Sequence, residues 1–319
     1  MRVNKLVLLV PVLSVLLTGC SNAQEESKNG FDLTNSEIAI EKIHGGGPAR
    51  DGIPSIDNPR FLTIDQAKEE LSDEDPILGV EIDGVSRAYP IAILNWHEIV
   101  NDETNGNPFV VTYCPLCGSG VVFSSGSTKK GGGKQRLFGV SGLLYNSDVL
   151  LYDRETESLW SQLLGRAISG KLKGERLQLL PATHTSWKVW KRDYPTTTVL
   201  SRRTGYFRDY DRDPYSGYVN SEGIYFPVES LNPLYHPKER VLGIEIDGKF
   251  KGYPYSELSQ AKSLVVDRFN GVEVKLHFDQ ESNSAWATDL KGNKLPSVSS
   301  FWFAWMAFHP ESEVYHADE

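Results

Sequence analysis

Cysteine is scarce in this chain, at 3 of 319 residues, and methionine is scarcer at 2. So few methionines exclude a methionine-rich copper carrier. There is one CxxC pair, Cys114 and Cys117, and no second one, which excludes a four-thiolate metal site. Cations are in deficit: 33 Lys and Arg face 42 Asp and Glu, a formal charge of −9, and no basic run interrupts the acidity. This argues against nucleic acid as a partner, and against an electrostatic hold on anionic lipid. No apolar run is long enough to span a bilayer. The glycine-rich stretch 124–134 lacks phosphate-loop spacing and a following helix, and no Ser-His-Asp spacing supports a hydrolytic triad.

What is present begins at the N-terminus. Arg2 and Lys5 precede an apolar run from Leu6 to Leu17, too short to span and suited to a signal peptide. The run closes on Leu17-Thr18-Gly19-Cys20, which looks like a bacterial lipobox. The expectation is a signal peptide over 1–19, a lipid on Cys20 as the membrane partner, and a polar tether over 20–35. The protein is thereby expected on the extracytoplasmic side, periplasmic or cell-surface. Loss of residues 1–19 removes two cations and no acid, leaving 31 basic against 42 acidic residues, or −11. Residues 36–319 then suffice for a single large domain.

An internal repeat organises that domain. Leu78-Gly-Val-Glu-Ile-Asp-Gly84 recurs as Leu242-Gly-Ile-Glu-Ile-Asp-Gly248, and Tyr89-Pro90 and Tyr253-Pro254 lie at the same distance beyond. Asn105-Gly106 matches Asn270-Gly271. Each copy, over about 76–125 and 240–290, reads as a strand, an Asp-Gly hairpin, a second strand ending at Tyr-Pro, a short helix, then Asn-Gly and another strand. Helices are also expected over Ile64–Leu71, with Thr63 as cap, over Ile91–Val100 and over Thr185–Tyr194. The aromatic run Phe301–Phe308 reads as a buried helix or strand, which period alone does not decide. The fold class expected is α+β, mainly antiparallel β, with a duplicated strand-hairpin unit and a few short helices.

The repeat separates scaffold from chemistry. On its register Cys114 falls opposite Asp279, Cys117 opposite Ser282, and His97 opposite no histidine. The three unshared residues are therefore the functional candidates. Cys114-Pro-Leu-Cys-Gly118 has the form of a metal knuckle, in which Gly118 takes a conformation open to glycine. Two thiolates leave a tetrahedral site incomplete, so His97 is expected to add a ligand, with His309 and His44 next. Soft thiolates suit copper or zinc. Two other readings stand beside this one. A dithiol/disulfide couple would use Cys114 as attacking thiolate and Cys117 as resolving thiol in an enzyme of thiol–disulfide exchange. A structural staple would leave a non-enzymatic binding or scaffolding lipoprotein.

Several further stretches carry a family resemblance: Asp51-Gly-Ile-Pro54, Asn95-Trp-His-Glu98, Tyr113-Cys-Pro-Leu-Cys-Gly118 and Gly142-Leu-Leu-Tyr-Asn146, then Tyr152-Asp-Arg154, Leu159-Trp-Ser-Gln162, Phe301-Trp-Phe-Ala304 and Phe308-His-Pro310. With them the chain resembles, over about residues 43–310, the bacterial family known as domain of unknown function 3179. The resemblance implies no catalytic residues.

Overall fold

The computed structural model describes residues 26–126, 135–261 and 264–317. The expected signal peptide, the lipid site Cys20 and the tether up to residue 25 lie outside the described residues, as does 127–134 of the glycine-rich loop. The chain is α+β and mainly antiparallel β, with five short α-helices among the described residues.

Two short strands, β1 (Ser27–Lys28) and β2 (Phe31–Asp32), pair with each other; β3 (Ile43–Gly45) and β4 (Phe61–Thr63) follow. Thr63 caps α1 (Ile64–Ala67): its hydroxyl accepts from Gln66 N, and the Gln66 side chain accepts from Thr63 N. The helix is shorter than expected; beyond Ala67 the chain continues as a turn, in which Ala67 O accepts from both Glu70 N and Leu71 N.

The first unit then runs β5 (Pro76–Ile82), β6 (Val85–Pro90), α2 (Ile91–His97), β7 (Ile99–Thr104), β8 (Asn107–Cys114) and β9 (Ser119–Ser124). A meander of β10 (Phe138–Tyr145), β11 (Asp148–Asp153), β12 (Leu159–Ser161) and β13 (Arg166–Ser169) is inserted next, with β3 on its edge. After β14 (Leu179–Leu180) come β15 (Ala182–Ser186), α3 (Trp187–Asp193) and β16 (Thr198–Leu200). A long irregular segment leads to the second unit: β17 (Arg240–Ile246), β18 (Lys249–Pro254), α4 (Tyr255–Gln260), β19 (Val265–Phe269), β20 (Val272–Asp279) and β21 (Ser284–Thr288). The chain closes with β22 (Val298–Phe301), α5 (Trp302–Phe308) and β23 (Glu313–Val314).

The hairpin turns follow from the residue types. Asp83-Gly84, Asn105-Gly106, Asp247-Gly248 and Asn270-Gly271 all take positive φ, the two-residue turn that matches strand twist. Tyr89 donates to Asp102 in the first unit and Tyr253 donates to Asp267 in the second. Arg87 and Lys251, each two residues before its tyrosine, pair with those same aspartates.

The likeness of the two units extends beyond the stretches that match in sequence. β15 pairs β5 as β22 pairs β17, and β16 runs parallel to β6 as β23 does to β18. α3 lays Trp190 over Gly79, and α5 lays Trp305 over Gly243. A Cβ at those glycines would sit 2.3 and 2.0 Å from the indoles, so each strand needs glycine there for its helix to dock. The aromatic run is thus the end of β22 and a buried helix.

The units interlock. β9 of the first bridges to β22 of the second through Gly120 and Ser299, while β15 packs beside β21. Each unit has its own apolar cluster, and the largest cluster joins both units to the inserted meander around Cys114, Cys117, Trp160, Phe301 and Trp302.

Candidate metal centre

The CxxC segment is the turn between antiparallel β8 and β9, whose last pair is Cys114 opposite Ser119. It is not a helix N-terminus. Gly118 ends the turn at φ 57°, and a Cβ there would lie 2.7 Å from the Phe301 ring. Phe301 N donates to Cys117 O at 2.8 Å, and Arg240 donates to Gly118 O at 3.0 Å, so the turn is anchored to the second unit. At the matching turn of that unit, Asp279 accepts from Ser282 N and Oγ. An ordinary polar turn closes there; two thiols take its place here.

Both thiols are free and buried. Each donates to Ser147 O, Cys114 at 3.7 Å and Cys117 at 3.4 Å. Ser147 belongs to the turn joining β10 to β11, where Tyr145 faces Asp148 across a two-residue loop. Asn146 and Ser147 both take positive φ, 49° and 65°. The second of these positions favours glycine, so serine there is strained by about 1 kcal/mol or more. Asn146 holds the turn by donating to Ala307 O and accepting from Glu229 N. The strained carbonyl is thereby fixed against both sulfurs.

The next residue, Asp148, completes the cluster. Ligand atoms of Cys114, Cys117 and Asp148 all lie within 4.8 Å of one another. Asp148 is fully buried; Oδ2 accepts from Leu163 N at 3.0 Å, and Oδ1 has no hydrogen-bond partner among the described residues. Burial raises its pKa to about 7. Glu98, the left-handed cap of α2 at φ 57°, is also buried; burial and the Asp148 charge raise its pKa to about 8. Burial also raises the Cys114 thiol, and raises Cys117 further. Without a cation, all four groups are held towards their neutral forms. A buried carboxylate oxygen with no donor beside two thiols is a site whose charge a cation would balance. The donor set, two soft sulfurs and one hard oxygen, fits zinc.

The histidines expected as further ligands stand outside this cluster. His97 is fully buried, but Nδ1 donates to Pro54 O and Nε2 accepts from the Tyr210 hydroxyl, both at 2.7 Å. Neither nitrogen keeps a lone pair for a metal, and burial lowers its pKa to about 4. His309 stacks on Phe250 at 3.9 Å and lies tilted against Trp305 at 4.4 Å, beside a separate cavity; burial lowers its pKa to about 4 as well. His44 lies on β3, paired with Leu144. Among the described residues Asp148, not a histidine, joins the cysteines. Its one signal in the sequence is a carboxylate opening an otherwise apolar strand, Asp148-Val-Leu-Leu.

Two tyrosines belong to the apolar cluster that holds the cysteines. Tyr215 and Tyr218 come from the irregular segment before β17, and both have raised pKa values, first through burial, then through Glu98 for Tyr215 and the Cys117 thiol for Tyr218. Lys238 Nζ lies 3.9 Å from the Tyr218 ring centroid and donates to Gly223 O at 2.6 Å.

The family model described as "Protein of unknown function (DUF3179)" matches residues 50–312, most of the chain, and the chain belongs to that family. No curated protein and no solved structure matches it.

Proposed function

We propose that this member of the DUF3179 family is a metal-binding lipoprotein, holding a zinc ion between Cys114, Cys117 and Asp148 with Glu98 beside them. The observation that carries this is the orphaned, fully buried Asp148 Oδ1 next to two free thiols. Zinc is favoured over copper(I) because the third donor is a carboxylate oxygen. Two thiolates and a carboxylate carry −3, which a divalent ion reduces to −1, and such a pairing relieves the cost of burying those charges. The ion would tie the first-unit turn to the inserted meander. Anchorage outside the cytoplasm through a lipid on Cys20 is part of the same proposal, supported by the leader pattern of residues 2–20.

The test is elemental analysis of protein purified without chelators, with Cys114→Ser and Asp148→Asn in parallel. The reading requires roughly one zinc per chain, as at any single structural or catalytic site, lost in both variants. Metal-free protein would end it.

A reversible disulfide is the second reading, favoured by the closeness of the two sulfurs, which lie within 4.8 Å and share the Ser147 carbonyl. Its difficulty is access and charge. Both sulfurs are buried, their pKa values are raised, and no helix N-terminus is present to stabilise an attacking thiolate. A thiol count that rises only after mild reduction would favour it.

A further inference from the structure

We propose that the cleft between the two units binds an organic oxyanion, its acidic group held by Arg240, His184 and Tyr113 and its apolar body lying against Ile91 and Phe301. The cavity is about 530 Å³, and all five residues line it. It opens between matching ends of the two units. Arg240 is paired in register with Phe301, as Pro76 is with Ser186, and all four positions face the cavity. Clefts of this size at the junction of two substructures are where small ligands bind.

The polar groups there are unmatched. Arg240 is half-buried, donates one hydrogen bond, to Gly118 O, and lies with Cζ 5.4 Å from the Phe301 ring centroid. Among the described residues no carboxylate pairs with it. Burial, and after it the positive charge of Arg240, lowers the His184 pKa; burial raises that of Tyr255, and Arg240 acts against that rise. Of the five acids that share the walls, Glu74 is exposed to solvent, Asp75 accepts from Ser72 N, and the other three are occupied. Glu70 accepts from Ser201 and from Arg202 N, Asp211 pairs with Arg202, and Asp213 accepts from Asn95 and from Tyr215 N.

His184 is the second observation. It is 9% exposed, and Nε2 is buried without a hydrogen-bond partner among the described residues. Its counterpart on β22, Ser299, is partnered by the Tyr255 hydroxyl. Burial, followed by Arg240, keeps the imidazole neutral; Nε2 packs against Gly120, so Nδ1 is the nitrogen that can offer its N–H to the cleft without adding charge. An unpaired guanidinium with neutral donors around it suits a planar or tetrahedral oxyanion, which Arg binds through two parallel N–H groups. The acids in the lining disfavour a polyanion, so a single acidic group on an apolar body fits best. The inference stands on the cleft alone and does not need the metal.

The experiment is calorimetric titration of the full chain with benzoate and with phenyl phosphate, using benzamide as the neutral isostere. The expected result is saturable binding of at least one anion, with benzamide weaker by roughly tenfold or more, the range of a charge-assisted contact. Which anion binds tighter names the head group. Arg240→Gln should cost at least another factor of about ten. Because Arg240 also holds Gly118 O, His184→Gln and Tyr113→Phe give a second reading that leaves that contact in place, and each should weaken the anion and not benzamide. Equal binding of benzamide, absence of binding by both anions, or affinities unchanged in all three variants would overturn the proposal. Repeating the titration after chelation separates the two sites: anion binding should persist when the metal is gone.

Discussion

Stripping the metal should make the stability of the chain fall as pH rises, and restoring zinc should reverse that slope. In the unfolded chain Asp148 and Glu98 ionise in the ordinary carboxylate range. In the folded, metal-free chain burial delays them to about 7 and about 8. Between those limits the folded state binds more protons than the unfolded one, so unfolding becomes easier as pH increases. For Asp148, displacement from 3.8 to about 7 corresponds to about 4 kcal/mol at full ionisation. That loss begins near pH 4 and is complete above pH 7, and Glu98 adds to it up to about pH 8. Zinc binding requires the deprotonated ligands, so its affinity grows over the same window and the loaded protein gains stability instead. Urea unfolding at several pH values between about 5 and 8, with and without chelator, measures both slopes. Asp148→Asn removes one of the two buried acids and its charge beside Glu98, and should make the metal-free slope shallower while losing the zinc effect. Metal-free protein equally stable at both ends of that range would refute the argument, as would parallel slopes with and without zinc.

Three further outcomes follow from the same geometry. His97→Ala should retain its metal but lose about 1–3 kcal/mol in urea unfolding, because Tyr210 and Pro54 O are left without their buried partner. Gly118→Ala should cost about 2–4 kcal/mol by the same measurement, combining left-handed strain with the Phe301 clash. In the folded, zinc-loaded protein, Cys114 and Cys117 should be silent to a thiol reagent and appear only after chelation and unfolding. Reaction of the untreated protein at full rate would show the centre to be open.

Most of the scaffold was legible because it is written in local chemistry. The Asp-Gly and Asn-Gly turns, the Thr63 cap and the Tyr-Pro strand ends each specify their own geometry, and repetition showed which residues belong to the frame. The recurrence of β15-α3-β16 as β22-α5-β23 was hidden, since Trp187-Lys-Val-Trp190 and Trp302-Phe-Ala-Trp305 share little beyond two tryptophans. That likeness lies in what each indole covers, a glycine on a distant strand. The cysteines were found as the one CxxC pair and as residues absent from the second copy. Asp148 was not, because it lies 31 positions beyond Cys117 in an inserted meander, brought to the thiols by a strained turn. His97 looked like a ligand for the reason that made the cysteines stand out, yet its first-copy role is to tie α2 to Pro54 and Tyr210.

X-ray absorption at the zinc edge of protein purified without chelators tests the central claim most directly. Zinc held by Cys114, Cys117 and Asp148 gives sulfur scatterers at roughly 2.3 Å with a shorter oxygen shell near 2.0 Å, and no imidazole pattern. An imidazole signature, or protein without metal and with both thiols free to titrate, would contradict it.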